Sequence, residues 1–131
     1  MQDHITAQQY WEMITDPKPS KMRNIKTEVD GMLFDSQKEA NYYCELKLRK
    51  KAGEIVDFFW QVPFLLHEGY YKNKRWVKPI YYKADFVVIP SDLGFEMQIE
   101  VHEVKGRWTR TAIDKRKMFE RRYTEYKMVI I

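Results

Sequence analysis

The sequence predicts an α/β fold, a central mixed β-sheet flanked by helices, on three observations. Two segments carry helix-start signals, Thr6-Ala7-Gln8-Gln9 and Ser36-Gln37-Lys38-Glu39, each a capping box that satisfies the first amides of a helix. β-Prone apolar runs recur at 55–66, 80–89 and 126–131. Between 95 and 101 the odd positions Phe95, Met97, Ile99 and Val101 are apolar and the even ones polar, the period of a strand with one buried face. At 131 residues the chain has the length of one domain with a real core.

Taken in order, residues 5–14 read as a short helix with the stripe Ala7, Tyr10, Trp11 and Ile14, ended by Asp16-Pro17-Lys18-Pro19. A basic linker follows, so residues 1–26 are an accessory and 27–131 the main domain. Thr27–Phe34 is a hairpin, because Asp30-Gly31 suits a type I′ turn. The helix opened by Asp35-Ser36 runs to about Lys51, where three basic residues complement its C-terminal dipole and Gly53 terminates it. Ile55–Leu66 reads as a strand with Phe58, Trp60, Val62, Phe64 and Leu66 on one face and Gln61 as a solvated residue. Gly69 and Asn73-Lys74 mark turns around Tyr70-Tyr71-Lys72 and Lys74-Arg75-Trp76. That stretch either grips nucleic acid by stacking and phosphate contact or is a hairpin whose aromatics enter the core. Tyr81–Lys105 is a second hairpin, turning at Pro90–Gly94. A basic loop then leads to a helix at 111–123 with the stripe Ala112, Ile113, Lys117, Phe119 or Glu120, and Tyr123. Residues 126–131 close the fold as a nearly all-apolar strand, expected at the centre of the sheet.

The hairpin at 81–105 carries the chemistry. Past Val101, its buried odd face meets Glu103 and Lys105, and such charges are rarely buried unless paired or metal-bound. The turn brings Asp85, inside an apolar run, to the same end. Hard oxygen ligands of this kind hold Mg²⁺. Asp85, Glu103 and the Val104 carbonyl are the candidate ligands, with Lys105 to position water or stabilise charge on phosphorus. Glu39 shares a helix stripe with Tyr43 and Leu46, so it either caps its own helix or joins the metal site. Glu100 is a rival ligand but has the opposite parity, and His102 shares that opposite face and reads as exposed.

Charge points to a polyanionic partner. Residues 105–131 hold nine Lys/Arg against three acids, directly after the acidic constellation. Arg107, Arg110, Lys115, Arg116, Arg121 and Arg122 are the expected nucleic-acid contacts. Zinc spacing, a Gly-rich phosphate loop and a nucleophile elbow are all missing from the sequence. The lone Cys44 excludes a disulfide framework and fits a reducing compartment; with neither a transmembrane-length run nor a signal peptide, a cytoplasmic protein without membrane contact is expected.

Asp85 followed by Glu103-Val104-Lys105 resembles the PD-(D/E)XK nuclease motif, with Ala84 where the pattern often has Pro. Glu39 matches the acid this superfamily often contributes from its first core helix. Residues 27–131, about four fifths of the chain, also resemble small phage-encoded nucleases related to Holliday junction resolvases. The landmarks are Glu28-Val29-Asp30-Gly31, Phe34-Asp35-Ser36, Lys38-Glu39-Ala40, Lys51-Ala52-Gly53-Glu54-Ile55, Ala84-Asp85-Phe86 and Val104-Lys105-Gly106. The resemblance implies a restriction-endonuclease-like core and a Mg²⁺-dependent DNA endonuclease, with Mn²⁺ able to substitute. It also implies selectivity for branched DNA, a homodimer on four-way junctions, and the host cytoplasm if phage-encoded. Three alternatives stay open: a duplex or flap endonuclease of the same superfamily, a non-catalytic nucleic-acid-binding module, and a buried ion-pair network of Asp85, Glu103 and Lys105.

Overall fold

A computed structural model describes residues 25–91, 98–104 and 107–131. The expected helix at 5–14 and the turn at 92–94 lie outside the described residues. The chain opens with β1 (Thr27–Val29) and β2 (Met32–Phe34), an antiparallel pair with Val29 opposite Met32. Asp30 and Gly31 between them have φ of 52° and 76°, the type I′ geometry the Asp-Gly pair favours. Helix α1 (Gln37–Lys51) is capped as its sequence demands: the Ser36 hydroxyl accepts from Glu39 N at 3.1 Å. It ends in a Schellman arrangement, with Gly53 at φ 81°. Gly53 N donates to Lys50 O at 3.1 Å and Glu54 N to Arg49 O at 2.9 Å. Asp30 ties the hairpin to this helix, accepting from Lys47 Nζ at 2.5 Å and Tyr43 Oη at 3.2 Å.

The main sheet has four strands in the order β3 (Ile55–His67), β6 (Ile80–Pro90), β7 (Glu100–Glu103) and β8 (Lys127–Ile130). The first two junctions are antiparallel and β7–β8 is parallel, so the sheet is mixed as expected. Between β3 and β6 the chain makes a small separate ribbon, β4 (Tyr70–Lys72) and β5 (Arg75–Val77). The parallel β7–β8 step is bridged by α2 (Arg110–Arg122), whose N-cap Thr109 accepts from Ala112 N at 3.1 Å.

Each helix covers one face of the sheet. On the α1 face, Ala40, Tyr42, Tyr43 and Leu46 bury Phe58, Phe86, Val88 and Val104. On the other, Phe119 of α2, fully buried, packs with Phe64, Tyr82, Ala84, Val87 and Val101. The neighbours Phe86 and Val87 thus point to opposite sides, as pleating requires.

Two expectations are corrected here. The residues 58, 60, 62, 64 and 66 of β3 do not share a face. Phe58 and Trp60 meet Tyr43 of α1 edge to face, with ring centroids 5.6 and 5.3 Å away, whereas Phe64 packs on Phe119 of α2 at 4.9 Å. The cause is Gln61, half-buried with φ 52°, which turns the strand over between Trp60 and Val62. β6 turns over beside it: Tyr82 and Ala84 belong to the α2 face, Phe86 and Val88 to the α1 face. Among the described residues the closing strand β8 is the edge of the sheet, not its centre, and Ile130 is 46% exposed. An apolar run reads as central when burial on both faces is taken to mean strands on both sides; α2 supplies cover for Met128 on one face, and β7 is its only strand neighbour among the described residues.

Candidate active site

The turnover in β6 creates the candidate site. β6 pairs with β7 only from Phe86↔His102 to Val88↔Glu100. One step further, Asp85 and Glu103 come opposite each other, and there side chains replace the ladder. Val104 N donates to Asp85 Oδ2 at 2.8 Å, and Asp85 N donates to Glu103 Oε1 at 3.3 Å. Glu103 Oε1 also accepts from the Tyr82 hydroxyl. Two carboxylates are therefore cross-linked through the backbone amides of the facing strands where those strands part.

Burial sets the electrostatics. Glu103 is 1% exposed, among the largest fully buried side chains, and Asp85 is half-buried. A carboxylate stripped of water needs donors or a cation. Burial, and then the Glu103 charge beside it, holds the Tyr82 hydroxyl far above the usual tyrosine range, so it stays a donor. The Arg116 guanidinium acts on the same hydroxyl in the opposite sense, which brings an α2 cation within electrostatic reach of the carboxylate pair. Arg116 also stacks on Trp108, 4.8 Å from the ring centre.

The start of α1 comes to this same end of the sheet. Lys38 Nζ donates to Ile131 O at 3.5 Å, and Ile131 N donates to Glu103 O at 2.8 Å. Glu39, next to Lys38, is half-buried in the first helical turn. Among the described residues no group of three or more His, Cys, Asp or Glu is gathered as a metal cage. Lys105 lies outside the described residues. The pair still suits Mg²⁺, which is commonly held by one or two carboxylates with waters completing its shell; Asp85, Glu103 and the Val104 carbonyl are all hard oxygens.

Of the expected nucleic-acid contacts, Arg107, Arg110, Arg121 and Arg122 are exposed, and Lys115 and Arg116 half-buried. Three have acidic partners within the chain: Arg110 with Asp114 and Arg116 with Glu120, both at 3.6 Å, and Arg122 with Glu68 at 3.9 Å. Arg122 also donates to Leu66 O at 3.1 Å. The helix is thus less freely cationic than its sequence suggests.

His102, expected to be exposed, is 4% exposed. β7 lies inside the sheet, and Tyr42 of α1 covers the face that parity assigns to solvent. The Tyr42 hydroxyl bonds His102 Nδ1, and His102 Nε2 lies 2.9 Å from Glu100 Oε1. Burial raises the Tyr42 phenol above its ordinary range, so it keeps its proton beside the imidazole. Tyr82 escapes a reading by sequence because Tyr82 and Asp85 are three apart, which in a regular strand puts them on opposite faces. Only a strand that turns over unites them.

No described helix is long and apolar enough to cross a membrane. Comparison with curated proteins and with solved structures returns no match. One family, described as "Protein of unknown function (DUF1064)", matches residues 19–131, which takes in the whole sheet, both helices and the carboxylate pair. The chain belongs to that family.

Proposed function

We propose that the protein is a Mg²⁺-dependent DNA endonuclease of the PD-(D/E)XK type, acting on branched DNA such as four-way junctions. The observation that carries this reading is the meeting of Asp85 and buried Glu103 where β6 and β7 part. A fold that needed only stability would fill this position with apolar side chains, as it does at Val101 and Ala84 nearby.

Asp85, Glu103 and the Val104 carbonyl would hold the metal. When bound, Mg²⁺ supplies a Lewis acid for a phosphodiester oxygen and lowers the pKa of a water. The chain's own residues do the rest. The Tyr82 hydroxyl and the Asp85 amide fix the Glu103 carboxylate in one orientation. The Val104 amide fixes Asp85. Lys105, two residues after Glu103 in sequence, is the cation for charge developing on phosphorus, and Arg116 adds positive potential from α2. Glu39 orients water at the α1 start, and Arg107, Arg110, Lys115, Arg121 and Arg122 contact DNA phosphates. A homodimer would present two such sites to symmetric strands.

The buried Tyr82–Glu103 bond favours one rival, in which Glu103 is only structural. Labelled four-way junction, flap and duplex DNA, incubated with Mg²⁺, with Mn²⁺ and with EDTA, separate the readings. Metal-dependent paired nicks near the junction centre are expected. Equal cutting of all three substrates keeps a nuclease and removes branch selectivity, whereas binding without cutting under either metal leaves a nucleic-acid-binding module.

A further inference from the structure

The ribbon β4–β5 has a composition that burial does not explain. Every residue from Tyr70 to Lys78 is exposed, with Tyr71 at 75% and Trp76 at 52%. Tyr71 and Trp76 face each other across the strands, ring centroids 4.9 Å apart, so one face of the ribbon is a pair of aromatic rings open to solvent. Gly69 leaves room for the indole at the base of the ribbon: a Cβ there would come within 2.4 Å of Trp76 Cζ2.

Charge is as one-sided as exposure. Residues 69–84 contain five cations, Lys72, Lys74, Arg75, Lys78 and Lys83, and no acid. None of the five forms an ion pair among the described residues. The tip adds a further oddity. Asn73 and Lys74 have φ of 51° and 62°, a type I′ turn whose second position is normally glycine. The sequence keeps a cation there at the expense of backbone strain, and such strain in an exposed turn points to a use for the side chain.

The geometry points to this ribbon as a DNA-engaging arm that stacks its Tyr71–Trp76 face on an unstacked base at a branch point while Lys72, Lys74 and Arg75 hold the flanking phosphates. Aromatic faces accept bases of any identity, and only an unstacked base offers its own face in return. Cations on the same short arm match the phosphates on either side of that base. The inference rests on the chain acting on DNA, but not on its cutting DNA.

The test is fluorescence anisotropy of labelled four-way junction, splayed fork and plain duplex, all of one sequence, in EDTA so that no cleavage intervenes. The double variant Tyr71→Thr/Trp76→Thr keeps β-formers in the ribbon. It should bind junction and fork about tenfold more weakly, with a smaller loss on duplex. Lys74→Gly relieves the turn, so its melting temperature should hold or rise; yet its affinity should fall, and the slope of log affinity against log salt should shrink by about 0.7–0.9. A purely structural turn would give a variant that binds as well as the parent. Unchanged affinity in both variants overturns the arm, as does an equal loss on duplex, which would mean that the ribbon reads a groove. A change in oligomeric state with DNA affinity unchanged also overturns it and assigns the ribbon to contacts between copies. Arm-dependent binding without Mg²⁺-dependent cleavage by the parent would sink the nuclease and leave the arm standing.

Discussion

Replacing Glu103 by glutamine and by alanine should affect stability in different ways. Glu103→Gln keeps a side-chain oxygen for the Tyr82 hydroxyl and the Asp85 amide while removing a buried charge, so the urea midpoint should hold or rise. Glu103→Ala leaves the Tyr82 hydroxyl buried without its acceptor and should cost about 1–3 kcal/mol. Both should lose cleavage, which separates the chemical role from the structural one. Tyr82 itself gives a pH signature. Its folded pKa lies above the unfolded value of about 10, so its stabilising contribution is complete below about pH 10 and is lost as the pH rises further. In an alkaline titration followed at the tyrosinate band, Tyr82 should ionise only as the protein unfolds, and Tyr82→Phe should reduce that late step by one tyrosine.

Among the elements, the turnover at Gln61 positions the site. Gln61→Gly should keep the geometry and stabilise by up to about 1 kcal/mol, since glycine accepts positive φ without strain; Gln61→Val should destabilise by more than about 1 kcal/mol and weaken cleavage along with it. Equilibrium urea unfolding measures both. The same element marks where sequence reading stops. The caps at Ser36 and Gly53, the Asp30-Gly31 turn and the approach of Asp85 to Glu103 are all legible, because each follows from local chemistry or from the arithmetic of a folded hairpin. The facing of β3 is not, because nothing in the run from Ile55 to Leu66 reveals that a glutamine adopts positive φ. The expectation for His102 fails for a different reason. Alternation tells which residues of a strand share a face, but whether the second face meets solvent or a helix depends on where the strand lies in the sheet. The expectation for β8 fails in the converse way, since its apolar run suits a central strand yet forms an edge. The exposure of the Tyr71–Trp76 ribbon cannot be read at all, since aromatic residues with β-period fit a core equally well.

At the scale of the whole molecule, a mixed sheet between two helices brings three remote segments to one end: the start of α1, the parting of β6 and β7, and the end of β8. On the proposed reading folding and metal binding are linked, since the unfolded chain has no such site. With Mg²⁺ at about ten times its Kd, stability should rise by about 1.4 kcal/mol, a shift of a few degrees in Tm. The shift should vanish in Asp85→Asn, whereas a protein whose acids serve only the fold would melt alike in Mg²⁺ and EDTA. The most direct test of the carboxylate pair is single-turnover cleavage of a labelled four-way junction in Mg²⁺ by the parent and by Glu103→Gln, with circular dichroism showing that both are folded. Nicking by the parent, reduced at least about a hundredfold in the variant, is the result expected for removing a group that acts on the transition state. Equal nicking by the two folded proteins, or none by either, would contradict it.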